Sequence, residues 1–336
     1  MIILALVFEF TCGFNDSGGI VATMVFTGAL ESRWALVLAA FFEFIGAVFL
    51  GTAVAETFTQ GIIKAMELDI NVVWAALLSA VGWNVLAGYR GVPSSSTHAI
   101  IGGLMGAVFI SIGFDAVIWW KIIEVLFVLI LSPVLGILFG FILTRLTHKL
   151  FGTFSPKSVR KVFLRSQIVS SAALSLSHGT NDAQKTMGII TLALIILYAQ
   201  NPEAVGYFYD GGAGSYIPLW VKISCASAIS LGVLTGGFRI MKTLGGGIYK
   251  MRSVHGFSAQ TSSAVIIYLS ALLGFPVSTT QVVSSSIVGA GTAERANAVR
   301  WGVVGNILGT WLITVPSTVV IGGGIYLIID AICEYI

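Results

Sequence analysis

Apolar runs of spanning or near-spanning length follow one another along almost the whole chain, at roughly 1–30, 34–55, 72–88, 98–113, 119–143, 166–198, 217–237, 257–273, 281–292 and 301–333. About 20 apolar residues carry an α-helix across some 30 Å of hydrocarbon. Within that layer every backbone N–H and C=O must be satisfied internally, which makes helices the solution for runs of this length. The expectation is an all-α polytopic membrane protein, multi-pass in the cell membrane with the lipid bilayer as its solvent. A composition that is 56% hydrophobic and only 10% charged, with mean hydropathy +0.94, excludes an ordinary soluble domain. Several runs are too short to cross alone, and the first and sixth are interrupted, at NDSGG and GTND.

The placement of charge gives the runs a direction. Residues 144–165 hold Arg145, Lys149, Lys157, Arg160, Lys161 and Arg165 with no acid, whereas residues 200–216 hold Glu203 and Asp210 with no base. Basic segments stay in the cytoplasm, so the first is expected inside and the second outside. Carried forward, Arg239, Lys242, Lys250 and Arg252 fall inside, as do Arg295 and Arg300. The two runs between 257 and 292 therefore enter and leave on one side, as a re-entrant hairpin with its tip at FPVSTTQ. Carried backward, with Arg33 inside, 72–113 becomes a hairpin from the external side with its tip at VPSSSTH, and both termini are expected outside. Trp119 and Trp120 read as an interfacial belt. The start, MIILALVFEF, lacks a basic leader and carries Glu9 inside its apolar run, so it is read as mature protein rather than a signal peptide.

Self-comparison supports the inversion. Pro93, Ser95, Thr97, Gly106 and Pro133 match Pro276, Ser278, Thr280, Gly289 and Pro316 at a constant offset of 183 residues, and Gly13, Asn15 and Asp16 match Gly179, Asn181 and Asp182 at an offset of 166. The expected organisation is two inverted-topology repeats, 1–143 and 166–336, joined by a basic cytoplasmic linker, 144–165. Each repeat holds a broken helix and a re-entrant helical hairpin. Inverted repeats of this kind are a transporter architecture.

Two punctuations per repeat carry chemistry. At Gly-x-Asn-Asp the expectation is a helix broken by glycine, whose freed carbonyls join Asn and Asp side chains in an all-oxygen shell for a small cation. Carboxylates at membrane depth are functional by default. At Pro-x-Ser-Ser/Thr-Thr a hydroxyl residue caps a new helix whose first N–H groups and dipole favour an anion, with Ser95, Ser96 and Thr97 on one tip and Ser278, Thr279 and Thr280 on the other. A site lined with anion donors yet holding Asp16 and Asp182 repels an anion unless cations enter with it. Among anions, phosphate retains a P–OH that can donate to a carboxylate, which sulfate lacks.

FEFTCGFNDSGGIVATMVFTGAL and LSLSHGTNDAQKTMGII, with VPSSSTH and FPVSTTQ, resemble the paired signatures of the inorganic phosphate transporter family of sodium- or proton-coupled phosphate symporters. The resemblance spans nearly the whole chain. It implies a core domain holding ions and phosphate and a gate domain that alternates access, each assembled from both repeats, with a homodimer, inorganic phosphate as substrate, and sodium ions as co-substrate with no other cofactor. Residue by residue it implies Asn15, Asp16, Asn181 and Asp182 for sodium, and Asp16, Asp182 and the six tip hydroxyl residues for phosphate. Glu43 looks like a membrane glutamate of the family, and Glu43, Thr180, Lys185 and Gln260 are expected as supporting residues. Three positions depart from the family: Gly19 where Asn is frequent, Gln260 where Glu is frequent, and Gln281 where His follows the tip. The last two remove titratable groups and leave sodium against proton coupling open.

Other residues keep two readings. His98 either bonds the tip backbone or meets substrate, His178 is read as structural support, and Lys185 either steers anions, pairs with a carboxylate or snorkels. The three cysteines, Cys12, Cys225 and Cys333, have no disulfide or metal spacing. A sulfate permease is the alternative within the same family. An intramembrane aspartyl protease is the remote alternative, weakened because the aspartates and hydroxyls are duplicated rather than organised as one nucleophile and one base. No nucleotide-binding loop is present, no nucleic-acid partner is expected, and the chain is read as a transporter rather than an enzyme.

Overall fold

The computed structural model describes residues 1–61, 69–209 and 216–335, and among these it is built of helices without strands. Asp210, one of the two acids of the segment expected outside, lies outside the described residues. In chain order the helices are α1 (Ile2–Thr27), α2 (Ser32–Phe49), short α3 (Ala53–Glu56), α4 (Ile70–Arg90), α5 (Ser96–Ser111), α6 (Trp119–Phe151) and α7 (Pro156–Gln200), followed by short α8 (Pro202–Val205), α9 (Leu219–Thr235), α10 (Phe238–Lys242), α11 (Ser253–Leu272), α12 (Thr279–Arg295) and α13 (Trp301–Tyr335).

Helix α7 is the central column. Its best apolar window is 78% buried inside the protein, against 28% for α6 and for α13, which present their flanks outward. At 45 residues it is roughly 67 Å long, about twice the hydrocarbon thickness. Its first turns, bearing Lys157, Arg160, Lys161 and Arg165, therefore extend beyond the apolar layer. The linker expected at 144–165 is thereby mostly helical, since α6 continues to Phe151 and α7 begins at Pro156. Only 152–155 is unwound. Ser155 caps α7 by accepting from the Ser158 N–H at 3.3 Å, and Pro156 occupies the first turn, where a missing N–H costs nothing.

A second correction concerns the Asn-Asp signatures. Helix α1 runs unbroken through Gly13, Asn15 and Asp16, and α7 through Gly179, Asn181 and Asp182. Their glycines serve close approach instead. A Cβ on Gly13 would lie 2.2 Å from the Ile229 carbonyl oxygen on α9, and one on Gly179 would lie 2.2 Å from the Glu43 carbonyl oxygen on α2. A helical glycine costs about 1 kcal/mol relative to alanine, less than a freed backbone group in lipid, so the helices hold. The breaks fall one helix further on. Helix α2 stops at Phe49 and the chain resumes as α3 at Ala53, past Gly51 at φ 111°. Likewise α9 stops at Thr235 and α10 starts at Phe238, past Gly236 at φ 67°, with a bend of 60°. Positive φ at both positions is what glycine permits without strain.

Helices α4 and α5, and α11 and α12, pair as two hairpins whose mouths lie at opposite ends of α13. At its start, the Arg300 N–H donates to the Ile248 carbonyl at 2.9 Å, near the mouth of the second hairpin; at its far end Cys333 Sγ lies 3.9 Å from Asn71 Nδ2, at the mouth of the first. The tips meet, with the Thr97 hydroxyl donating to the Val277 carbonyl at 3.0 Å. Each returning helix packs on the long helix of the other half. A Cβ on Gly106 of α5 would stand 2.0 Å from the Val319 oxygen of α13, and one on Gly289 of α12 would stand 2.1 Å from the Ile137 oxygen of α6. The halves are thus interlocked rather than laid side by side.

Candidate functional site

Each tip is capped by its own serine. Ser95 Oγ accepts from the His98 N–H at 3.2 Å and lies 2.6 Å from His98 Nδ1; Ser278 Oγ accepts from the Gln281 N–H at 3.4 Å. These caps satisfy one donor of each helix start and fix the direction of the rest. They also place Gln281 as the counterpart of His98. Ser96 and Thr279 are buried in the first turns, and Thr97 and Thr280 follow them.

The threonines connect the tips to the aspartates across the halves. Thr280 Oγ1 donates a short hydrogen bond to Asp16 Oδ1. On the other side the ammonium of Lys185 lies 2.8 Å from Asp182 Oδ1, 2.6 Å from Thr97 Oγ1 and 3.2 Å from the Val277 carbonyl oxygen. Lys185 is only 2% exposed, so it does not snorkel.

Between the aspartates lies His178. Its Nε2 is 3.5 Å from Asp16 Oδ2 and 3.7 Å from Asp182 Oδ2, while Nδ1 is 2.9 Å from Glu43 Oε1. Polar atoms of Asp16, His178 and Asp182 fall within 4.8 Å of one another, all buried. Close carboxylates repel strongly where water is excluded. The imidazole and the ammonium stand where they reduce that repulsion, and a cation placed among the oxygens would do the same. Asn181 Oδ1 and Glu9 Oε1 are buried oxygens without a hydrogen-bond donor among the described residues, and Asp16 Oδ2 and Asp182 Oδ2 face only the one nitrogen they share, His178 Nε2. Groups of that kind are expected to meet a ligand or water.

Not every expected residue joins this cluster through its contacts. Asn15 Nδ2 donates to the Asn84 carbonyl of α4 at 2.9 Å, and Asn181 Nδ2 donates to the Phe275 carbonyl at the second tip at 3.1 Å. Both asparagines tie the aspartate helices to the hairpins. Thr180 Oγ1 faces away from the aspartates, donating to Leu176 at 2.7 Å and Gly46 at 3.2 Å. Gln260 accepts from Ser170 Oγ at 2.8 Å, and Ser170 lies eight residues, about 12 Å, before His178 along α7.

Two contributors were under-read in the sequence. His178, taken as structural support, is the contact shared by three carboxylates; its position four residues before Asp182 puts both on one helix face. Glu9, used only to argue against a leader, accepts a short hydrogen bond from Thr186, one turn beyond Asp182. An acid inside an apolar run was the signal that could have found it. A further group of His148, His255 and Glu294 lies by the mouth of the second hairpin. There His255 Nδ1 accepts from the Arg252 N–H at 3.1 Å, which leaves the proton on Nε2 facing Glu294, and Arg252 pairs with the same carboxylate. These contacts make it an ion-pair latch between the hairpin legs rather than a vacant metal site.

Residues 12–155 and 152–322 match the "Phosphate transporter family". The chain is 42% identical over 334 residues to a Bacillus subtilis (strain 168) protein named "Probable low-affinity inorganic phosphate transporter", covering 99% of this chain and 97% of that one. A Rhizobium meliloti (strain 1021) protein of the same name is 40% identical over 332 residues, covering 99% and 96%. Among solved structures, "The sodium-dependent phosphate transporter" superposes with a TM-score of 0.86 at 26% identity, covering 98% of both chains. These relatives are transporters, which sets aside the protease reading, and none of these names favours sulfate. The chain belongs to the phosphate transporter family.

Proposed function

We propose that this protein imports inorganic phosphate by symport with sodium, alternating access around a midplane site between the two hairpin tips. The observation that carries the reading is the crossed pair of contacts at the tips. Thr280 reaches Asp16, and Thr97 reaches Lys185 and through it Asp182, so each tip hydroxyl is tied to an aspartate helix of the opposite half. A phosphate between the tips would meet helix-start N–H groups and hydroxyls on two sides and could donate its P–OH to a carboxylate. Two buried carboxylates that share a single imidazole nitrogen supply the reason for cation entry. The solved relative whose title is sodium-dependent favours sodium over protons.

In this reading the halves are inverted repeats in the membrane, with 144–165 cytoplasmic and both termini external, and the protein works as a homodimer. The placement of the two hairpin mouths at opposite ends of α13, and the packing of each hairpin on the other half, support alternation between two sides.

The test is uptake of labelled phosphate into liposomes containing the purified protein under an inward sodium gradient, an inward proton gradient or none, with sulfate as competitor. Sodium-driven uptake that sulfate leaves unaffected is expected. Uptake that needs only protons, or that runs at the same rate with no gradient, would overturn the reading.

A further inference from the structure

The two halves of the site differ at one position in a way that bears on how many cations move. At the offset that aligns the two Asn-Asp signatures, Lys185 of α7 stands where α1 has Gly19. Asp182 and Asp16, and Thr97 and Thr280, are the corresponding partners around it. In the second half the Lys185 ammonium meets a carboxylate oxygen at 2.8 Å, a threonine hydroxyl at 2.6 Å and the Val277 carbonyl at 3.2 Å. An ammonium has three N–H donors, and each has an acceptor here. The same set, a carboxylate, a hydroxyl and a backbone carbonyl, is the all-oxygen environment that holds a small hard cation in a transporter.

In the first half no such group is supplied. Asp16 Oδ1 accepts from Thr280, Oδ2 faces only the shared His178 Nε2 at 3.5 Å, and Gly19 brings no side chain. Nothing forces glycine at this position by backbone approach. A Cβ there would meet only Leu244 and Val283 side-chain atoms at 3.6 and 3.7 Å, ordinary contact, unlike the clashes that define Gly13 and Gly179. His178 does not account for the difference, because it is nearly equidistant from the two aspartates, at 3.5 and 3.7 Å.

We infer that Lys185 is a tethered cation. Its ammonium permanently occupies the cation position of the second half, and the mobile sodium site is the one at Asp16, so each phosphate is accompanied by one sodium ion fewer than two open positions would take. The inference rests on the sodium-coupled phosphate transport proposed above and assigns its stoichiometry to a named residue.

The test is the sodium-to-phosphate flux ratio of the reconstituted full chain, measured with two isotopes in one experiment. In Lys185→Ala the position opens, and the ratio is expected to rise by one sodium per phosphate with a steeper sodium dependence. In Lys185→Met, which fills the volume without charge, uptake is expected to be lost at every sodium concentration. Uptake by Lys185→Ala at the wild-type ratio would overturn the inference, as would Lys185→Met transporting like wild type. If Lys185→Ala carries no phosphate, sodium bound at equilibrium to the purified, monodisperse variant decides: one ion more than wild type supports the tethered cation, and an equal number overturns it. Failure of the underlying reading is separately visible as wild-type protein without sodium-driven phosphate uptake, and the bound-sodium comparison still reports on Lys185.

Discussion

Thr280, at the start of α12, donates its hydroxyl proton to Asp16 of α1, a carboxylate 264 residues earlier in the chain. The contact joins the tip of one half to the aspartate helix of the other. Thr280→Val keeps the shape and removes the donor. A hydrogen bond to a charged group contributes about 1.5–3 kcal/mol, so the apparent KM for phosphate is expected to rise roughly 10- to 100-fold while the protein inserts and purifies normally. Uptake kinetics in liposomes check this; an unchanged KM would mean that the Asp16–Thr280 contact has no part in binding.

Glu43 and His178 give a second outcome. Their atoms approach to 2.9 Å in a fully buried setting, and the same imidazole reaches towards both aspartates. Glu43→Gln removes the charge that holds the ring while keeping its size. Breaking a buried pair costs about 3–5 kcal/mol, so transport is expected to fall at least 100-fold and the thermal midpoint in detergent to drop. Wild-type flux in this variant would show that His178 is oriented by the aspartates alone.

Glycine roles can be separated by size. Gly13→Ala and Gly179→Ala each push a methyl to 2.2 Å from a neighbouring carbonyl oxygen. Overpacking of this kind costs about 1–3 kcal/mol, so both variants are expected to melt at lower temperature in detergent. Gly19→Ala, whose methyl meets only ordinary contacts, is expected to melt with wild type. Equal destabilisation of all three would refute the close-approach account.

The latch at the second hairpin predicts a small effect. Glu294 pairs with Arg252 and His255, but Arg252 is 65% exposed. The exposed Arg252 pair contributes about 0–1 kcal/mol, and a Gln oxygen can still accept from the buried His255 Nε2–H, so Glu294→Gln is expected to leave uptake within about twofold of wild type. A larger loss would assign this cluster a part in opening the hairpin.

Much of this architecture is legible in the sequence because its signals are local. Proline, a capping serine and an apolar run announce each hairpin tip, and Ser95 and Ser278 do cap their helices. The glycine of Gly-x-Asn-Asp was misread because breaking a helix and admitting a neighbour call for the same residue, and only the distant partner, Ile229 or Glu43, decides between them. The basic segment 144–165 reads as a linker from its charge, yet nothing between Arg145 and Phe151 opposes a helix. His178 was undervalued for the reason Gly13 was misread: its partners Asp16 and Glu43 come from two other helices. The aspartates were found because a carboxylate in an apolar run is conspicuous by itself.

The claim that Asp16 and Asp182 form one sodium-dependent phosphate site is tested most directly by equilibrium binding of labelled phosphate to the purified protein, in sodium and in potassium, for wild type, Asp16→Asn and Asp182→Asn. The account predicts that wild type binds in sodium and weakly in potassium, and that both variants lose sodium-dependent binding while remaining folded. Phosphate binding by both variants at wild-type affinity, or wild-type binding indifferent to sodium, would contradict it.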